Sequence, residues 1–339
     1  MKVLLPFLSV IALVLLALLG AQAEGMRYLF GVIIPYMAIA TFVFGFIYRV
    51  VAWAKSPVPF RIPTTGGQSK SLPWIKDSKL DCPSTTAGVI GRMFLEIFFF
   101  RSLFRNTKTS IQDGPRLVYG PTKWLWLFGL IFHYSFLIIF IRHFRLFVDP
   151  VPSIVSALDG ADSFFQITLP ALYVSDLLLL GGVTFLFLRR VILPQVRYIS
   201  LATDYFPLFL IFAVGVSGIL MRYIFKVNIA GAKEFIIGLT SFHPAINPTV
   251  GVLFYVHLFL VSVLIAYIPF SKLMHMGGVF MSPTRNLANT SREIRHINPW
   301  NDPSIKPHAY SAYEDEFREV MRGADLPLER DPEAPAQEG

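Results

Sequence analysis

Long apolar runs alternate with polar connections along this 339-residue chain. Six runs approach or exceed the ~20 residues that a helix needs to cross a bilayer. They lie at roughly 3–21, 26–54, 120–147, 166–189, 204–226 and 248–271. The pattern predicts an all-α protein, a polytopic membrane helix bundle of about six transmembrane helices with a cytoplasmic loop and tail. Three parts follow: an N-terminal transmembrane helix over 1–25, a membrane domain over 26–276 that includes loop 55–119, and a polar tail over 277–339.

Met1-Lys2, an apolar run and Ala21-Gln22-Ala23 together have the form of a secretory signal. The run from Val3 to Leu19 is longer than a typical signal core, so the segment is read as a retained helix. Either reading leaves residue 26 on the outer side. Composition adds exclusions. Cys82 is the only cysteine, which rules out an intrachain disulfide, a cysteine-ligated iron–sulfur cluster and a Cys-x-x-Cys-His heme attachment. A redox cofactor would have to be held by histidine or be diffusible, like a quinone.

Of the net charge of +8, most sits in one place: segment 55–123 holds eleven Lys and Arg against four Asp and Glu. Arg189, Arg190 and Arg197 follow the fourth run, whereas 146–165 carries Asp149, Asp159 and Asp162 with no Lys or Arg. The positive-inside rule puts the basic connections in the cytoplasm, so the third helix runs outward and the sixth inward. It also accounts for the basic balance without nucleic-acid binding.

Segment 55–119 is punctuated by Pro and Gly (Ser56-Pro57-Val58-Pro59, Thr64-Thr65-Gly66-Gly67). It contains an amphipathic stretch, Ile90 to Phe104, that suits an interfacial helix on the inner leaflet or a helix packed on the end of the bundle. The tail has too few apolar residues for a core of its own, and so stays disordered or orders on a partner. Trp300 and the Tyr310/Tyr313/Phe317 group are candidate anchors for such a partner.

The chemistry points to four histidines. His133 and His143 lie in the third run, His257 in the sixth and His275 just beyond its end. Imidazole inside a membrane helix is costly and marks function. Two helices with two histidines each can supply four axial ligands, enough for two bis-histidine hemes b stacked across the membrane. In antiparallel helices His143 faces His257 and His133 faces His275. At 1.5 Å per residue the ten-residue spacing is about 15 Å and the eighteen-residue spacing about 27 Å, a mismatch that tilt and ligand reach would share. Eighteen residues make five whole turns, which puts His257 and His275 on one face.

Arg142, Arg145 and Arg222 near the outer ends are candidates for heme carboxylates. At the inner ends Arg49, Arg189, Arg190 and Lys272 are more simply positive-inside flanks. Asp149, Asp159, Asp162 and His243 are candidate proton acceptors at the outer surface. His243, His296 and His308 otherwise read as loop residues.

At these residues a family resemblance emerges. Phe132-His133 through Arg142-His143-Phe144 resembles the second helix of the respiratory nitrate reductase gamma subunit, a diheme cytochrome b. Val256-His257-Leu258 through Ile268-Pro269-Phe270-Ser271-Lys272-Leu273-Met274-His275 resembles its fifth helix. Phe187-Leu188-Arg189-Arg190, Pro194-Gln195-Val196-Arg197 and Ala202-Thr203-Asp204 are similar to its central connection. The resemblance covers 26–54 and 120–280. The additional first helix, the long loop and the tail, with Met281–Asn289 and Tyr313–Glu319, resemble instead the DsrM family, the membrane cytochrome b of the Dsr complex associated with sulfite reduction.

That resemblance implies a subunit of the cytoplasmic (inner) membrane that exchanges electrons between menaquinone and a cytoplasmic iron–sulfur partner resembling heterodisulfide reductase. It also implies further membrane and periplasmic Dsr subunits and a role in anaerobic sulfite or sulfate respiration, as the quinone-reactive part of an oxidoreductase complex. A nitrate reductase gamma subunit and a heme-free membrane anchor are the alternatives. The nitrate family has a lysine in its outer loop near the quinol site, whereas no lysine lies between His143 and Phe165 here.

Overall fold

The computed structural model describes residues 1–56, 69–70, 72–105, 108–164, 172–290, 304 and 308–329. The chain divides into two compact units, 1–56 with 61–294, and 57–60 with 295–339. In the second unit the described part is centred on one helix, Tyr310–Gly323, on which Tyr313 packs against Phe317 at 4.8 Å. Trp300, His296 and the Thr64–Gly67 stretch lie outside the described residues.

In the first unit, α1 (Leu4–Gln22) leads through a 3-10 turn and a π turn into α2 (Ile34–Ala54). Pro35 lacks an N–H, and the π turn over Leu29–Ile33 sits immediately before it, closed by the Ile34 N–H on the Leu29 carbonyl. Then come α3 (Thr86–Phe99), the single turn α4 (Arg101–Phe104) and a hairpin of β1 (Lys108–Gln112) and β2 (Arg116–Gly120). The hairpin is an addition to the all-helical expectation. Its turn uses Asp113 and Gly114, both at positive φ (37° and 88°), as a tight reversal of twisted strands requires.

The remainder alternates long helices with short connecting ones. These are α5 (Lys123–His143), α6 (Ser153–Phe164), α7 (Val174–Ile192), α8 (Pro194–Ile199), α9 (Ala202–Ile219), α10 (Ile229–Thr240) and α11 (Val252–Tyr267). The first unit ends in the short turns α12 (His275–Gly278) and α13 (Pro283–Asn286).

Among the described residues, five helical segments are long and apolar enough to span: Leu4–Gln22, Glu24–Ala54, Lys123–Leu146, Ala202–Ile224 and Val252–Phe270. The sixth expected span corresponds to α7, which carries Asp176, Arg189 and Arg190 and so falls outside this set. It nevertheless packs along α5 on one side and α9 on the other. Around α11 gather α1, α2 and α9, with Tyr255 and Leu260 of α11, Leu210 of α9 and Phe235 of α10 fully or almost fully buried. At Gly31 the approach is close: a Cβ there would lie 2.9 Å from the Tyr255 ring and 3.0 Å from Phe235. Outward-facing Phe44, Leu137 and Phe140 are exposed, the arrangement of a bundle whose surroundings are apolar.

The end of α11 departs from the helical spacing expected for the last span. The helix does not run on to His275. It ends at Tyr267, passes into a 3-10 turn at Ile268–Phe270, extends at Ser271 and restarts as a 3-10 turn at Lys272–Met274. Pro269 denies the helix a donor, and the Ser271 side chain accepts from the Leu273 N–H to begin the new turn. The interrupted backbone is served by α2: Arg49 Nε donates to the Pro269 carbonyl at 3.1 Å, and a Cβ at Gly45, one turn earlier, would lie 2.8 Å from Pro269 Cβ.

Candidate functional site

The four helix histidines meet in two pairs. His143 and His257 have ring centres 6.3 Å apart and planes inclined by 10°. His133 and His275 are 6.0 Å apart with planes at 80°. The break at Pro269 falls between the two histidines of the later couple. From His257 to Tyr267 there are ten residues of regular helix, the same number as from His133 to His143 on α5. Equal numbers of residues give equal rise along the two axes. The other eight residues, from Tyr267 to His275, lie in 3-10 turns on either side of extended Ser271 and not in continuous helix.

All four rings use Nδ1 for orientation. His133 Nδ1–H donates to the Gly129 carbonyl (2.7 Å), His143 to Ile139 (2.7 Å) and His275 to Lys272 (2.8 Å). His257 Nδ1 is 2.9 Å from Ser217 Oγ, whose own hydrogen goes to the Val214 carbonyl at 2.9 Å, so the hydroxyl accepts from the ring. A carbonyl only accepts, so each ring carries its proton on Nδ1 and keeps the Nε2 lone pair for a ligand bond. Phe100 and Phe132 stand edge-on to His133 at 4.9 and 5.0 Å and hold its ring. Among the described residues no group of three or more His, Cys, Asp or Glu could enclose a bare metal ion. Each pair offers two ring nitrogens.

The arginines are arranged differently from the expectation of open carboxylate receptors. Arg142 is buried, and its guanidinium meets Asp159 (3.0 Å), Asp162 (2.5 Å) and Ser175 (3.2 Å), with Asp176 at 4.0 Å. Arg145 shares Asp159 at 3.1 Å. The acidic connection thus neutralises Arg142 and Arg145 from within the chain. Arg222 donates to the Tyr173 hydroxyl, and two guanidiniums lie over the Tyr173 ring, Arg142 at 3.9 Å and Arg222 at 4.2 Å. Tyr223 donates to Asp176 at 2.7 Å. Of the other candidate acids, Asp149 is exposed and paired with Lys233 of α10 at 2.8 Å, so a lysine does reach this region from a later connection. His243 is exposed, with Nδ1 on the Ser241 carbonyl.

At the His133/His275 end, Lys272 pairs with buried Asp204 at 2.7 Å, and Arg190 donates to Ser200 at 3.2 Å. Between α5 and α7 lies an open cavity of about 310 Å³, lined by Leu130, Tyr134, Ile138 and Leu178 together with Asp162 and Ser175.

Residues 119–295, a stretch that contains both histidine pairs, match the nitrate reductase gamma subunit family. The chain belongs to this family. It is also similar over most of its length to two proteins described as Hdr-like menaquinol oxidoreductase cytochrome b-like subunits. One, from Archaeoglobus fulgidus, is 48% identical over 286 residues, 82% of this chain and 85% of the relative. The other, from Archaeoglobus profundus, is 43% identical over 279 residues, 80% of this chain and 82% of the relative. With five spanning helices among the described residues, this member of the gamma subunit family is a multi-pass membrane protein.

The family match covers α5 to α13 and leaves out 26–54, which the motif resemblance includes. Several residues of the site carry no signal in the sequence. Ser217, Tyr173 and Tyr223 are ordinary helix or connection residues until folding brings them to His257 and Arg222. Asp176 sits at the start of α7, where an acidic residue is also expected as a partner of the helix dipole.

Proposed function

We propose that the chain is a diheme b-type cytochrome subunit, with one heme between His143 and His257 and another between His133 and His275. Electrons would pass between menaquinone and a cytoplasmic iron–sulfur subunit resembling heterodisulfide reductase, with the basic connections on the cytoplasmic side. The observation that carries this reading is the common orientation of the four imidazoles, each with Nδ1 engaged and Nε2 left for a ligand bond. The separations fit too. The ring centres, 6.3 and 6.0 Å apart, leave space in each pair for a metal that both imidazoles would hold. A heme held by two histidines supplies reversible one-electron transfer at a potential set by its surroundings.

The chain's own residues do the rest. Backbone carbonyls and Ser217 fix the ring tautomers, and Phe100 and Phe132 hold His133. Arg222, alone among Arg142, Arg145 and Arg222 in having no carboxylate partner among the described ion pairs, is the candidate for a heme carboxylate. The cavity between α5 and α7 suits a lipid-soluble quinone: its walls are largely apolar, and Asp162, a candidate proton acceptor, is on its lining. The relatives' names, which include menaquinol oxidoreductase, support the quinone. A role in sulfite or sulfate respiration rests on the resemblance of the first helix, long loop and tail to the Dsr cytochromes.

A nitrate reductase gamma subunit is the second reading, favoured by the family match at 119–295. The relatives' similarity extends over about four fifths of the chain and favours the first. The test is the purified protein's reduced-minus-oxidised spectrum with heme extraction, expected to give two non-covalent hemes b per chain. Absence of heme leaves only a membrane anchor. Co-purification with nitrate reductase subunits instead of an iron–sulfur partner of the heterodisulfide reductase type selects the second reading.

A further inference from the structure

Helix α3 is amphipathic with its faces reversed. Its two charged residues point inward, Arg92 3% and Glu96 9% exposed. Arg92 donates to the carbonyls of Asp81 (3.2 Å), Arg285 (2.6 Å) and Leu287 (3.2 Å). Glu96 accepts from Arg285 at 2.7 Å and from the Ser102 N–H at 3.2 Å. The opposite face carries Ile90, Phe94 and Phe98 at four-residue spacing, 65%, 53% and 48% exposed. Within α3 no other residue is charged, so that face is wholly uncharged. In water such a face is unfavourable, because large apolar area stays hydrated while two charges are taken out of solvent. Among acyl chains the same arrangement is favourable: apolar groups face lipid, Glu96 is met by Arg285 and Ser102, and both terminal nitrogens of Arg92 are met by carbonyls within the protein, its buried Nε alone lacking a partner among the described residues.

The position of α3 along the bundle agrees. Tyr134, eleven residues into α5, donates its hydroxyl to the Phe98 carbonyl at 2.9 Å, and Trp126 Nε1 donates to Phe99 at 2.7 Å. The C-terminal end of α3 therefore lies alongside a spanning helix, at the level of His133, and not beyond the end of that helix. Phe100 then takes a left-handed conformation (φ 49°) and reverses the chain into α4. The Leu103 carbonyl accepts from Thr122, just before α5 begins, so the segment returns to the end of the span that it entered beside. On α5 the neighbouring Tyr134, Leu137 and Phe140 are exposed as well, which makes the stripe continuous with the surface of a spanning helix.

We propose that residues 86–104 form a re-entrant element, with the Ile90–Phe94–Phe98 stripe seated in the acyl chains of the bilayer on the same surface as the outer face of α5. The element then screens the His133 side of the site from lipid through Phe100. The test uses the whole chain in phosphatidylcholine vesicles with a nitroxide on Phe94→Cys. Cys82 is 0% exposed and stays in place, and the unsubstituted protein serves as the labelling blank. Power-saturation EPR compares collisions with oxygen, which partitions into acyl chains, and with a water-soluble nickel chelate. Oxygen is expected to dominate several-fold at Phe94, as at a Leu137→Cys label on α5, with the reverse at Leu117→Cys on the hairpin. Dominance of the nickel chelate at Phe94 overturns the proposal. So does a label shielded from both reagents, since protein and not lipid would then cover the stripe. Ile90→Cys repeats the measurement if the first variant fails to accumulate.

Discussion

Ser217 on α9 accepts a hydrogen bond from Nδ1 of His257 on α11 at 2.9 Å, and His257 is the one histidine of the four with a side-chain hydroxyl at that nitrogen. A carbonyl cannot be removed by substitution, but this hydroxyl can. Ser217→Ala is expected to leave two hemes per chain while lowering the affinity of the His143/His257 site roughly tenfold, the lower end for loss of such a support. Its midpoint potential should shift in a redox titration while that of the other heme stays put. Ser217→Thr should restore both. A potential that does not move would mean that helix packing alone sets the ring.

The pairing has its own signature. His143→Ala and His257→Ala should each remove the same heme from the low-temperature difference spectrum, and His133→Ala and His275→Ala the other. Loss of one heme from both α5 variants would refute the pairing, because His133 and His143 belong to different pairs.

Arg142 and Asp162 are each 8% exposed at the side chain, so their ion pair does little by itself for stability but is costly to break from one side. Asp162→Ala leaves a buried guanidinium with Asp159 and the more distant Asp176. A destabilisation of about 3 kcal/mol is expected. Arg142→Met combined with Asp162→Ala should cost less than the two variants summed, since the orphaned charge is gone. Thermal unfolding in detergent, followed by circular dichroism, measures both. A neutral Asp162→Ala would show that Asp159 alone satisfies the arginine.

How far the sequence can be read depends on whether a feature is local. Apolar run length locates the spanning helices, and the histidine pairs follow from order along antiparallel helices. The break at Pro269 is visible as a residue type but not as geometry. In the sequence it sits beside the unequal spacing of the two histidine couples, ten residues against eighteen, and in the structure the helix ends at Tyr267 within the longer of them. Asp113-Gly114 is a hairpin signal, yet the strands beside it are only five residues each and too short to stand out. In α3 the periodicity is legible and its direction is not: a helical repeat says that one face is polar, while the surrounding solvent decides which face turns inward. Ser217 and the two guanidiniums over Tyr173 are long-range contacts that no spacing encodes.

Outside the spans, Asp81 ties the polar loop together. Burial pushes its carboxyl up, but the bonds from Arg101 and Ser78 and the charges of Arg101 and Arg105 more than offset this, holding it below its ordinary value of 3.8. A carboxyl lowered on folding stabilises the fold above its unfolded value, and the contribution fades as pH falls through the lowered one. The segment from Ser78 to Phe104 is therefore expected to loosen below about pH 3.8. Hydrogen exchange, corrected for its intrinsic pH dependence, should show lost protection there as the solution is acidified past that value. Asp81→Asn should already be loosened at higher pH and change little.

The tail begins inside the membrane unit, which determines where a cut can test it. Arg285 holds Glu96 and accepts from Arg92, and the Asn289 N–H donates to the Pro83 carbonyl at 2.7 Å, so 283–290 clasps the loop segment that carries α3. Truncation after Pro283 would remove that clasp together with any partner surface and confuse the two. Truncation after Thr290 keeps the clasp and removes the α14 helix (Tyr310–Gly323) with its exposed Tyr310, Tyr313 and Phe317. If 291–339 docks the iron–sulfur partner beside the His133/His275 heme, the shortened chain should retain both hemes and lose the partner on purification. Reduced partner should then no longer exchange electrons with the heme in stopped-flow absorbance. Exposed aromatics on a short helix are suited to this, because a few buried rings carry much of the binding energy at an interface. Undiminished co-purification and electron exchange by the shortened chain would assign docking to the loop and the ends of the spans, and leave the tail without that role.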